Sequence, residues 1–194
     1  MKRLLAITAA MAILAFLGYS RAGLAASEPE GVAAFQKAVI EGKYLDAITS
    51  YKEQIFGSVR NEMAAVQYLK DILNDSIAAY ARSEAGGGEA AIVIETVSRI
   101  DTELGIVTAN LQQAKTVYNS IVRSRAYYQT ALEMLAAGDY PSAILGLEKI
   151  NPLDELNYTS SQNLLREATA QWKGALVGKA KAAMADGLYA NALK

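Results

Sequence analysis

Four glycines, each followed at a fixed distance by alanine and then by isoleucine or leucine, constrain this chain most. They are Gly42/Ala47/Ile48, Gly86/Ala91/Ile92, Gly138/Ala143/Ile144 and Gly187/Ala192/Leu193. Tyrosine stands two residues after three of these glycines, at Tyr44, Tyr140 and Tyr189, while the Gly86 copy carries Gly88 there. At seven, four and three residues before glycine stand Phe35, Ala38 and Val39, then Ala131, Met134 and Leu135, then Ala180, Ala183 and Met184. Glycine admits the left-handed backbone that stops a helix. Each copy therefore spells the end of one helix, a tight turn and the start of a second. The tyrosine fills the corner, the small alanine lets the helices approach, and the large residue after it closes the contact. Such a hairpin leaves an apolar face uncovered, so hairpins of this kind stack. The expected fold is all-α, an α-solenoid of stacked antiparallel helical hairpins.

The best-preserved copy, A-L-E-M-L-A-A-G-D-Y-P-S-A-I-L from Ala131, resembles the tetratricopeptide repeat. In that repeat a G-D-Y-type turn precedes a helix with a small residue and a large one four positions later. Here Ala47 is followed by Tyr51 and Ala143 by Leu147. The chain is similar to exported bacterial proteins with degenerate tetratricopeptide-like repeats, in which the phrase is followed by a D-x3-Y element, here Asp154 to Tyr158. The resemblance covers about 130–190, with echoes at 31–55. It departs in spacing, 44, 52 and 49 residues between copies against about 34 in the usual repeat. The proline that ends the second helix is matched only loosely, by Pro152, and the large aromatic early in the first helix is absent. The resemblance implies a repeat fold that binds protein along a helix-lined groove.

Residues 1–25 have the three regions of a secretory signal peptide. Met1-Lys2-Arg3 is basic, Leu4 to Gly18 is an apolar run of 15 residues, and Gly23 and Ala25 place small side chains at the cleavage positions. The run is short of the roughly 20 residues that span a bilayer. The expectation is an exported protein, cleaved after Ala25 and secreted, periplasmic or cell-wall associated, with no membrane insertion afterwards. An uncleaved anchor is the alternative. Residues 26–194 form the expected repeat domain, read as incomplete at its C-terminal end because Gly187 opens a hairpin whose second helix has one turn of sequence.

In the mature chain, apolar residues recur at helical spacing. Val32, Phe35, Ala38 and Val39 mark one helix, and Ala47, Ile48, Tyr51 and Ile55 the next. Met63, Val66, Leu69, Ile72, Leu73, Ile77 and Tyr80 mark a third, ended by Gly86-Gly87-Gly88. Ala91, Ile92, Ile94, Val97 and Ile100 read as helix rather than strand, because no second strand exists to pair with them. Leu104, Val107, Leu111, Ala114, Tyr118, Ile121, Tyr128, Ala131 and Leu135 predict a helix of about 30 residues. Pro141 fits the first turn of the following helix, which should end near Asn151-Pro152. A last helix runs from Tyr158 to Ala185, with Leu165, Ala168, Trp172 and Leu176 as its core face and Gly174 and Gly178 as the close approach of a neighbour.

The chemistry this chain can offer is narrow. It has no Cys and no His, which removes thiolate and imidazole catalysis, disulfides and most zinc or transition-metal ligation. Ser58, Ser83 and Ser160-Ser161 have no histidine to activate them, and Gly86-Gly87-Gly88 lacks the lysine of a phosphate loop. Glu148 and Asp154 flank a turn and could be paired carboxylates; helix caps and solvated faces explain both as well. Formal charge is −1, and without the leader's three cations, Lys2, Arg3 and Arg21, it is −4, which argues against nucleic acid as partner. No enzyme activity, cofactor or metal is expected.

The partner expected is a protein or peptide, and the candidate binding residues are Tyr118, Arg125 and Tyr128. Arg125 falls on an apolar stripe between these tyrosines, where it could stack on their rings, receive an acidic peptide, or reach the edge of the core and pair with an acid. Two other readings remain at this point: a helical spacer of a larger cell-surface protein or enzyme, and a helical bundle with a small-molecule pocket.

Overall fold

The computed structural model describes residues 30–82 and 87–187. The expected signal peptide, Gly86 and the residues after Gly187 lie outside the described residues. All regular structure among the described residues is helical: α1 (Glu30–Ile40), α2 (Tyr44–Ser50), a π-helical turn (Tyr51–Ile55), α3 (Val59–Arg82), α4 (Gly88–Leu104), α5 (Thr108–Ala136), α6 (Tyr140–Leu147) and α7 (Glu155–Ala185). The Ala-Ile-Val-Ile stretch lies within α4. The longest sequence pattern forms α5, 29 residues long, but without its expected start: Leu104 ends α4, Gly105 turns the chain at φ +66°, and Val107 precedes α5. The described residues fall into two compact units, one of 30–74 with 91–112 and the other of 75–82, 87–90 and 113–187.

In the first unit, α1 and α2 form a hairpin that turns on Gly42. Its φ is +70°, a conformation costly for any side chain with a Cβ. The Gly42 N–H donates to the Val39 carbonyl at 3.1 Å and the Lys43 N–H to the Ala38 carbonyl at 2.9 Å, the paired bonds of a Schellman turn. Val32, Phe35 and Val39 of α1 meet Ala47 and Ile48 of α2 inside, all buried. Tyr51 and Ile55 follow in the π-helical turn, and the Phe35 and Tyr51 rings lie 6.0 Å apart at 57°. The Phe56 N–H reaches back five residues to the Tyr51 carbonyl, and Phe56 itself is turned out to solvent. The Tyr68 hydroxyl of α3 donates to the Gln36 carbonyl of α1. At the end of α4 the buried Asp101 carboxylate accepts from the Val107 N–H at 2.8 Å, so a side chain satisfies the entry to α5.

The second unit repeats the same turn. Gly138 has φ +76°, its N–H donates to the Leu135 carbonyl at 3.0 Å, and the Asp139 N–H donates to the Met134 carbonyl at 2.9 Å. The residue that opens the next helix also matches: Lys43 has φ −85° and ψ 68°, and Asp139 has φ −83° and ψ 73°. Ala47 and Ala143 are both fully buried. Here α6 lies so close on α5 that a Cβ added at Gly146 would come within 3.1 Å of the Ala131 Cβ. Pro141 occupies the first turn of α6, as its missing N–H allows. Gly187 shows the first half of the same turn, with φ +70° and its N–H on the Met184 carbonyl.

Several expectations are corrected. After the Gly86 position, Ala91 is half-buried and Ile92 is 62% exposed, so this copy does not pack as Ala47/Ile48 does. The inward face of α4 is Ala90, Ile94, Val97 and Ile100. Met63 is exposed and Ala65 is buried: the inward face of α3 runs through Ala65, Leu69, Leu73 and Ile77, and Met63, two residues from Ala65, points to the opposite side of the helix. Helix α6 ends at Leu147, before Asn151-Pro152, and tightens into a turn in which the Lys149 N–H reaches the Gly146 carbonyl. Trp172 is not core; it is 36% exposed, and Leu176 is 47% exposed. A Cβ at Gly174 or Gly178 would meet nothing within 4 Å, so no neighbouring helix among the described residues approaches there.

Candidate functional site

The stripe that singled out Arg125 lies along α5, which presents Ile121, Ser124 and Ala131 fully inward. Arg125 is adjacent to this buried edge, with its side chain 17% exposed. Its guanidinium lies over the Tyr80 ring of α3 at 4.0 Å from the centroid, and its Nη2 donates to the Tyr80 backbone carbonyl. Tyr80 is within the last four residues of α3, whose carbonyls have no acceptor role left inside their own helix. Arg125 thus caps α3 from a different helix. A cation over an aromatic face adds attraction that grows as water is excluded.

The acid that faces Arg125 is Asp154. Its Oδ1 stands 3.5 Å from Arg125 Nε, and the carboxylate is fully buried. Its Oδ2 accepts from Asn157 Nδ2 at 3.0 Å. Asp154 is also the residue that opens α7, with φ −85° and ψ 73°, yet its side chain does not cap that helix. By contrast Asp139 caps α6 by accepting from the Ser142 N–H at 3.2 Å. The carboxylate of Asp154 is turned to the cation instead. Beside it, Ser124 of α5 accepts from the Asn151 N–H at 3.0 Å, which fixes the α6–α7 connection against α5. Of the two carboxylates flanking that connection, Asp154 is in this ion pair and Glu148 is exposed.

Of the three candidate binding residues, Tyr118 and Arg125 both meet Tyr80. The Tyr80 and Tyr118 rings are 5.3 Å apart at 37°, and the Tyr118 hydroxyl donates to the Gly87 carbonyl at 3.1 Å. Burial, and then the neighbouring Tyr80, push the Tyr118 phenol above its ordinary pKa. Tyr128 stands on the next turn of α5, half-buried. Tyr80 and Asp154 are the partners of Arg125 that sequence reasoning does not assign to it. The charge of Asp154 and its place before a helical run are visible in the sequence, but nothing in the spacing tells that it turns away from capping.

Two depressions open on the surface. One, of about 300 Å³, is lined by Ala33, Gln36, Lys37, Ile40 and Glu41 along the outer side of α1. The other, of about 190 Å³, lies among Leu135, Tyr140, Leu164, Glu167, Ala168 and Gln171. Among the described residues no group of three or more Asp or Glu side chains is placed to hold a metal ion. No helix among them is long and apolar enough to cross a membrane. No known protein family, no curated protein and no solved structure matches this chain.

Proposed function

We propose that this chain is a tetratricopeptide-like helical repeat module, exported from the cytoplasm, which binds a protein or peptide partner along a helix-lined surface and catalyses no reaction. The observation that carries the reading is the recurrence of one turn. Gly42 and Gly138 share the same φ sign, the same pair of backbone bonds and the same dihedrals at the following residue. Each is followed by a fully buried alanine five positions later. Recurrence of one hairpin is what a stacked array requires, and stacked arrays work through extended surfaces. The chemistry of Arg125 supports a binding role that does not run through its charge. Its cation already faces Asp154, so an acidic peptide would have to compete with a buried carboxylate. Tyr128, half-buried on the next turn, is the better contact of the three candidate residues.

Export is tested by mass spectrometry of the mature chain, which should begin at Ala26; an intact Met1 would refute it. Binding is tested by recovering a partner from the extracytoplasmic fraction and titrating it, purified, against the purified chain. The expected result is a saturable complex that Tyr128→Ala weakens while leaving the circular dichroism unchanged. A purified pair that shows no saturable binding would overturn the module reading.

A further inference from the structure

The distal half of α7 carries a feature that the repeat grammar does not explain. From Ala168 to Ala185 the helix has three lysines, Lys173, Lys179 and Lys181, and no acid. Every residue from Gln171 to Lys179 is exposed. Trp172, Leu176, Val177 and Met184 are 36%, 47%, 53% and 54% exposed. At about 100° per residue, these four side chains and Ala180 and Ala183 fall on one arc of the helix. Lys179 and Lys181 flank that arc on either side, and Lys173 stands within it at its first turn. On the opposite face, a Cβ added at Gly174 or Gly178 would meet nothing within 4 Å among the described residues.

We propose that this segment of α7 is a membrane-surface helix that lies on anionic lipid headgroups, with Trp172, Leu176, Val177 and Met184 in the headgroup–acyl boundary and the three lysines on the lipid charge. The charge pattern and the residue types argue for lipid as the occupant. No helix among the described residues covers the exposed residues Gln171 to Lys179, and the lysines on and beside the arc match an anionic surface. Tryptophan suits the interface, being apolar in its body and polar at its N–H. Lysines on and beside the arc can lay their stems on lipid and raise their ammonium groups to the headgroups. The segment is too basic to span and apolar enough to adsorb, which is the composition of a helix lying in the interfacial plane.

Trp172 is the only tryptophan in the sequence, so its emission reports this helix whatever the first residues of the chain do. The purified full chain is titrated with vesicles of phosphatidylglycerol and phosphatidylcholine, and with vesicles of phosphatidylcholine alone. The expected result is a blue shift with the anionic vesicles only, quenched by lipids brominated on the acyl chain and lost at high salt. The combined K173Q, K179Q and K181Q variant, whose far-UV spectrum should be unchanged, should weaken apparent partitioning about a hundredfold. Leu176→Gln should weaken it by about tenfold. The inference is overturned if anionic vesicles leave the emission unmoved, or if neutral vesicles move it equally. A shift untouched by either variant would also overturn it. So would a shift that appears with rising protein concentration and no lipid, which would assign the face to a second copy, or one evoked equally by soluble polyglutamate, which would assign it to an acidic protein chain.

Discussion

Burying Asp154 costs solvation that only close charge and hydrogen bonds return; Asn157 bonds its Oδ2, while Oδ1 faces Arg125 Nε at 3.5 Å without a hydrogen bond. Breaking a buried pair on one side destabilises by about 3–5 kcal/mol. The 3.5 Å contact, which is not a hydrogen bond, and the 17% exposure of Arg125 put Asp154→Ala at the lower end, at about 3 kcal/mol, read from the urea midpoint. Replacing both members, Arg125→Met with Asp154→Leu, should cost less than the two single changes added, with a coupling of about 1–3 kcal/mol. Additive losses would mean that the two side chains act separately. A second comparison isolates the cap. Asp139 and Lys43 have the same backbone conformation, but only Asp139 accepts from a backbone N–H of its helix. Asp139→Ala should therefore cost about 1 kcal/mol. Lys43→Ala removes only an exposed ion pair with Glu41 and should leave the urea midpoint essentially unchanged. Equal losses at the two sites would remove the cap as the explanation.

At the scale of the helix, the glycines separate three physical roles that look alike in sequence. Gly138 has room for a Cβ but a φ of +76°, so Gly138→Ala should cost about 1–2 kcal/mol through backbone conformation alone. Gly146 is helical but stands against Ala131, so Gly146→Leu should cost about 1–3 kcal/mol through overpacking. Gly174 and Gly178 are helical with open space, so alanine at both should raise the helicity and amide protection of distal α7, by about 0.5–1 kcal/mol each. Lower protection in that double variant would mean that a tight contact forms there after all. The same contrast divides what the amino-acid pattern reveals from what only packing decides. The turns at Gly42 and Gly138 are legible in the sequence because a stop in helical periodicity, a glycine and a buried alanine coincide within a few residues. The exposure of Trp172 is not, because spacing says which residues share a face, and only tertiary packing says whether anything covers that face. The pairing of Arg125 with Tyr80 and Asp154 is out of reach for the same reason: it joins α3, α5 and the entry to α7, and no local pattern fixes which helices meet.

At the scale of the whole molecule, each compact unit holds a phenol whose raised pKa ties stability to alkaline pH. In the first unit burial, and then the Glu62 carboxylate, hold the Tyr51 pKa above its ordinary value of 10.0. In the second, burial and then Tyr80 do the same for Tyr118. A phenol whose folded pKa is raised keeps its full contribution below the unfolded pKa, because both states are then protonated. Above about pH 10 the unfolded chain releases its proton first, so stability falls until the folded pKa is passed. The urea midpoint of the intact chain should therefore hold between about pH 8 and 9.5 and decline above 10. Tyr51→Phe removes the titrating group from the first unit while keeping the ring that packs against Phe35 at 6.0 Å. Its midpoint should fall less between about pH 10 and 11 than that of the unchanged chain. If the Tyr51→Phe chain declined as steeply as its parent in amide exchange of α1 and α2, the pH sensitivity of the first unit would have to come from groups other than its buried phenol.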